Sequence, residues 1–155
     1  MNPIDYMQRT RDFYRAQGFD KDYVWAHFEE IPFTPLRKPL SECTVTIVTT
    51  AVVESDIPKP MRKARSYAFA DLPDQLDTYD LAWDKVTTHT DDRQSYFPLE
   101  VLQELVANRT IKKLAPRFHF IPTEYSQRNT LELDAPTILG GCKEDGVDIA
   151  LLVPL

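Results

Sequence analysis

The sequence predicts an α/β domain, a three-layer and mostly parallel sheet covered on both faces (half of a Rossmann-like, doubly wound arrangement), with an N-terminal helical extension. Three observations carry this. Thr44–Thr50 reads TVTIVTT, the densest β-branched run in the chain. Strand and helix patterns alternate after it, which favours parallel strands joined by crossover helices. Residues 1–30 show helical spacing and no strand pattern, so they form an extension, and residues 31–155 form the sheet domain.

Taken in order, residues 4–17 have apolar positions at mixed helical spacing, and Gly18 is a natural residue to follow a helix. Residues 21–30 read as a second short helix, capped by Asp20 or Asp22 and stopped by Pro32. Pro32, Pro35 and Pro39 hold the next stretch extended and deliver it to the first strand. Residues 52–65 are irregular, and Ser66–Phe69 is a short strand. Residues 71–97 are an acidic connection, long enough to expect a role in function. Pro98 opens the clearest helix, whose stripe is Leu99, Leu102, Leu105 and Val106. Pro116–Pro122 alternates as a strand. Residues 134–144 are a helix capped by Asp134, with Pro136 in its first turn and Gly140 and Gly141 weakening it. Gly146 then turns the chain into Val147–Leu155, an unbroken apolar run of the kind found in strands buried on both faces.

Composition excludes several classes. Lys plus Arg is 18 against 24 Asp plus Glu, a net charge of −6, so there is no basic face for general nucleic-acid binding. No apolar run approaches the roughly 20 residues of a membrane span, and the N-terminus has no signal-peptide core. Cys43 and Cys142 lie far apart and form no CxxC, which reads as two reduced thiols in a cytoplasmic protein.

The familiar catalytic motifs are absent. There is no GxGxxG, GxxxxGK[ST], GxSxG or HExxH, so neither a nucleotide cofactor nor a metal is expected. His27, His89 and His119 are too dispersed to read as a metal site. Two polar segments are left. His89–Arg93, with Trp83 and Asp84 upstream, reads either as a pocket wall or as a solvated turn. The cluster Lys59, Arg62, Lys63 and Arg65 reads either as an anion or acidic-partner site or as a solvated loop.

Certain blocks carry more than pattern. They are Phe33-Thr34-Pro35-Leu36, Lys38-Pro39-Leu40-Ser41-Glu42, and the strand ending Val48-Thr49-Thr50-Ala51. Further on come Asp91 and Arg93 before Phe97-Pro98-Leu99, then Leu102-Gln103-Glu104-Leu105, and finally Asp145-Gly146-Val147-Asp148 leading to Leu151-Leu152-Val153-Pro154. In this order and spacing, over roughly residues 30–155, they resemble the selenoprotein B family of the glycine, sarcosine, betaine and D-proline reductases. Val52 stands where members often have glycine, so substrate specificity does not carry over.

The resemblance implies reductive cleavage of a small amino acid or related substrate by a selenolate or thiolate, with partner subunits or a thiol electron donor resolving the adduct. It places the selenocysteine or cysteine just after Leu155, so no catalytic residue is expected within the chain. Truncation at an in-frame UGA, leaving an inactive fragment, is the expectation. Thr49, Thr50, His89, Asp91 and Pro154 are the candidate pocket residues, supplying polar contacts and shape. The alternative is a small non-catalytic binding domain that pairs through its C-terminal strand, with a partner chain or as a homo-oligomer. A thiol protein using Cys43 or Cys142 is a third reading.

Overall fold

A computed structural model describes residues 5–22, 24–31, 33–81, 85–123 and 126–155. Met1–Thr34 and Pro35–Leu155 are two compact units. In the first, helix α1 (Tyr6–Ala16) starts where Asp5 accepts a hydrogen bond from the Gln8 amide at 3.0 Å. It ends before Gly18, whose φ of +87° suits a residue without Cβ. Arg15 pairs with Asp22 at 2.6 Å, and Arg11 lies over the Trp25 ring.

The second unit is built around β1 (Thr44–Thr49). One side of β1 is paired along Val45–Thr49 with β5 (Ile149–Val153), in parallel. The other side takes β3 (Lys113–Leu114) at Thr44–Val45 and β4 (Arg117–Phe120) at Val48–Thr49, also parallel. Beyond β4 lies β2 (Arg65–Ala68), the one antiparallel member of the five-stranded sheet. The expected mostly parallel α/β architecture is what the chain adopts.

Period-two alternation sends β1 side chains to both faces. Val45 and Ile47 join Leu99 and Leu102 of α2 (Leu99–Ala107) in the larger core. Phe118 sits at its centre, edge-on to Phe97 at 5.1 Å and 5.3 Å from Phe69. Val48 joins Ile138 and Cys142 of the C-terminal helix in a second, thinner core. The two helices therefore line different cores, and the layers alternate helix, sheet, helix.

That C-terminal helix is longer than its sequence suggests. It begins at Ser126, whose hydroxyl accepts from the Asn129 amide at 3.2 Å, and runs through α3 (Gln127–Asn129), a wide π turn (Thr130–Asp134) and α4 (Ala135–Glu144). Pro136 accounts for the wide turn. Its ring crowds the carbonyl four residues back and it has no N–H to donate, so the chain widens rather than breaks. Asp134 is thus inside the helix and does not cap it, contrary to the sequence expectation. Its Oδ1 instead accepts from the Ala64 amide at 3.4 Å.

Two more expectations need correction. Residues 21–22 and 24–31 contain no helix, because a segment of about ten residues is marginal without a packed face; Tyr23 and Pro32 lie outside the described residues. The terminal strand is not buried on both faces. It pairs with β1 alone, and Leu152 is 70% exposed. The two-residue β3, which fills the gap beside the start of β1, gave no sequence signal.

Candidate functional site

All three long parallel strands finish on one edge of the sheet, at Thr49, Phe120 and Val153. In open α/β sheets this edge carries the ligand crevice. Three of the sequence candidates meet here. Thr49 is in register with Val153, the residue before Pro154. The Thr49 hydroxyl is buried and accepts from the Ala51 amide at 3.1 Å, fixing the turn out of β1. The Thr50 hydroxyl clasps the end of β5: it accepts from the Leu155 amide at 2.8 Å and donates to the Leu155 carbonyl at 3.3 Å.

The other two candidates reach the neighbourhood through a tether. Val52 and Asp77 exchange backbone hydrogen bonds at 2.8 Å, drawing the acidic connection back to the sheet edge. The Thr78 and Thr90 hydroxyls meet at 2.6 Å, and Gln75 Nε2 donates to the Asp91 carbonyl at 3.0 Å. His89 and Asp91 stand on the wall of an open depression of about 520 Å³, which Thr49, Thr50 and Pro154 do not line. His89 Nδ1 is 3.6 Å from the Asp91 carboxylate and accepts from the Asp91 amide at 3.4 Å. That is the geometry of a local turn as well as of a pocket wall. Trp83 and Asp84 lie outside the described residues.

The Asp-Gly-Val-Asp segment ahead of β5 works as a hinge pin. Asp145 takes Arg117 in a two-point grip, from Nε at 2.8 Å and from a terminal nitrogen at 2.9 Å, and Glu144 adds a further contact. These carboxylates raise the Arg117 pKa further. Gly146 follows with a φ of +63°. Asp148 then accepts from Lys38 and from the Thr44 amide, each at 2.8 Å, and those two partners hold its carboxyl below the usual range. The starts of β1 and β5 are locked side by side.

One polar constellation escaped the sequence reading. His119 is fully buried in β4. Its Nδ1 is 2.9 Å from Ser66 Oγ of β2, and its Nε2 is 3.4 Å from Cys142 Sγ of α4. Gly141 makes room for the ring: a Cβ there would come within 2.9 Å of His119 Cε1. A glycine inside a helix pattern was the available signal. Burial, then the positive charge of Arg117, lowers the His119 pKa; burial, then Asp145, raises that of Cys142. The pair is accordingly a neutral imidazole beside a neutral thiol, which ties helix to sheet and does not make an activated nucleophile. Cys43 is likewise a buried free thiol, and its Sγ donates to the Pro39 carbonyl at 3.4 Å. Among the described residues, no three His, Cys, Asp or Glu side chains gather as a metal site, and no helix is long and apolar enough to cross a membrane.

No family model and no solved structure matches the chain. Among curated proteins, it is similar to the D-proline reductase subunit gamma of Acetoanaerobium sticklandii, 29% identical over 126 residues, which span 77% of this chain and 52% of that protein. The chain thus spans about half the length of the curated relative it matches. In sequence, then, this chain is distantly similar to a reductase subunit.

Proposed function

We propose that the domain is the sheet-bearing half of a selenoprotein B-like reductase subunit, in which a selenocysteine or cysteine follows β5. The observation that carries this reading is the clasp between Thr50 and Leu155, together with the distant likeness to a D-proline reductase subunit. The clasp holds the end of β5 at the strand-end edge, where a nucleophile carried on the next residues would enter the ligand crevice. A selenolate or thiolate there forms a bond to a substrate carbon, and the leaving group departs with its electron pair. A thiol of an electron donor or partner subunit then attacks the selenium or sulfur of the adduct; the substrate carbon leaves with the electron pair and takes a proton, and a second donor thiol reduces the resulting Se–S or S–S bond and restores the nucleophile. The substrate class is a small amino acid or a related molecule. Thr49 and Thr50 shape the floor, Pro154 fixes the approach, and His89 and Asp91 supply polar contacts from the tethered connection.

The test is direct. Reading the codon after Leu155 and weighing the native protein should show UGA and a longer, selenium-containing chain. An ordinary stop codon would end the proposal. Residues 1–155 alone should show no thiol-dependent reductase turnover, whereas the extended protein should.

A second reading has its own observation. The outer edge of β5 carries no paired strand among the described residues, and its apolar side chains are exposed, as in domains that associate by strand addition. Under that reading the chain is a non-catalytic interaction domain. A concentration-dependent dimer broken by Leu151→Lys, with no reading frame downstream of Leu155, would favour it.

A further inference from the structure

The basic cluster at 59–65 is left unexplained by the reductase reading. Pro58 precedes a tight turn (Lys59–Met61) that has Pro60 at its middle, and β2 follows it. Arg62 is anchored from behind: its Nε donates to the Ile57 carbonyl at 2.9 Å and a terminal nitrogen meets Asp80 at 2.7 Å, leaving its side chain only 8% exposed. Arg65 pairs with Glu54, which also accepts from the Tyr67 hydroxyl at 2.8 Å. Burial, with Glu54 next, pushes the Tyr67 pKa up to about 12, so that hydroxyl stays a donor committed to Glu54. Lys63, between the two arginines, has no hydrogen-bond or ion-pair partner among the described residues.

These side chains line a hollow of about 50 Å³ floored by Phe120, at the strand-end edge of β4. The volume is several times the ~10–15 Å³ that one water needs. Its charged lining is Arg62, Lys63 and Arg65 with Glu54, and Asp80 stands behind Arg62, so three cations face two carboxylates. Lys63 and Arg62 also border a wider groove of about 500 Å³, whose far wall carries Glu132 and Asp134. In a chain of net charge −6, a net surplus of one positive charge, that of Lys63, around a small hollow is the reverse of the molecular average. Two held arginines and one free lysine are the arrangement that recognises an oxyanion: fixed donors set the geometry and the mobile ammonium closes on the charge.

We propose that this hollow is a binding site for a small oxyanion, either a carboxylate or an inorganic phosphate-sized group, with Lys63 as its principal ligand. The site stands independently of the reductase reading. Amide chemical shifts of the full chain, titrated with sodium phosphate and separately with sodium acetate at constant ionic strength made up with chloride, provide the test. The expected result is saturable shifts at Glu54, Lys63, Arg65 and Phe120. Binding should weaken about tenfold in Lys63→Ala, be retained in Lys63→Arg, and be unchanged in Lys59→Ala. Tighter binding of phosphate identifies a tetrahedral anion, and tighter binding of acetate a carboxylate. Shifts no larger than those with chloride alone, or equal affinity in Lys63→Ala, would overturn the assignment.

Discussion

Strands β1 and β5 lie side by side in register over five residues, yet their surroundings are opposite. β1 contains three threonines in six positions and every one of the six is buried. β5 is wholly apolar, and its middle three residues are exposed. Apolarity alone therefore does not assign depth. β1 tolerates hydroxyls because the fold gives them partners: Thr46 Oγ1 donates to the Arg117 carbonyl at 2.7 Å, and Thr49 fixes the next turn. β5 has neighbours along one edge only. Its composition is that of a strand meant to be covered, and its position leaves Leu152 bare.

Substitutions can break this comparison. The largest effect belongs to Ile47→Ala, which removes a fully buried side chain from the larger core and should destabilise by about 2–5 kcal/mol in denaturant unfolding. Thr46→Val comes next. It preserves shape but strands the Arg117 carbonyl, and a loss of about 1–3 kcal/mol is expected. Leu152→Ala on the facing strand should change stability by no more than about 0.5 kcal/mol, because the side chain is already in water. If Leu152→Ala proved as costly as Ile47→Ala, β5 would have to be covered in solution. Leu152→Lys sharpens the same point by sedimentation: it should lower any self-association while leaving the unfolding midpoint nearly unchanged.

Acid separates the two ends of the assembly. His119 is held neutral, with its folded pKa below the ordinary ~6.5, so the unfolded chain binds the extra proton first. Its contribution is complete above that ordinary value and is lost as pH falls toward the depressed folded one. Asp148 has a folded pKa below the usual carboxylate range, so its tie between β1 and β5 persists until pH drops through the lower value. Stability curves should therefore weaken first as pH falls below the ordinary imidazole value, in a step removed by His119→Gln, and again only below the ordinary carboxylate range.

Much of the fold was legible because its signals are local. Thr44–Thr50, Pro98–Val106 and the alternation at 116–122 follow from β-branching and periodicity, and each appears within a residue or two of its expected bounds. What escaped depends on distant partners. The start at Ser126 was hidden because Pro136 looked like a helix opening, and only the wide turn shows that it is interior. Depth at β5 was misread because burial is a property of neighbours. Among site residues, Thr49, Thr50 and Pro154 were reachable from strand ends. The Ser66–His119–Cys142 chain was not, since it joins three elements that only the sheet order brings together.

The missing Cβ at Gly141 has a consequence for heredity. Because the His119 ring occupies that space, residues 66, 119 and 141 cannot drift one at a time. A lineage that gains a side chain at 141 needs a smaller residue at 119 beforehand, and Ser66 then loses its mate. Across related genes these positions should change as a trio, a correlated signature that sequence comparison can look for without any structure.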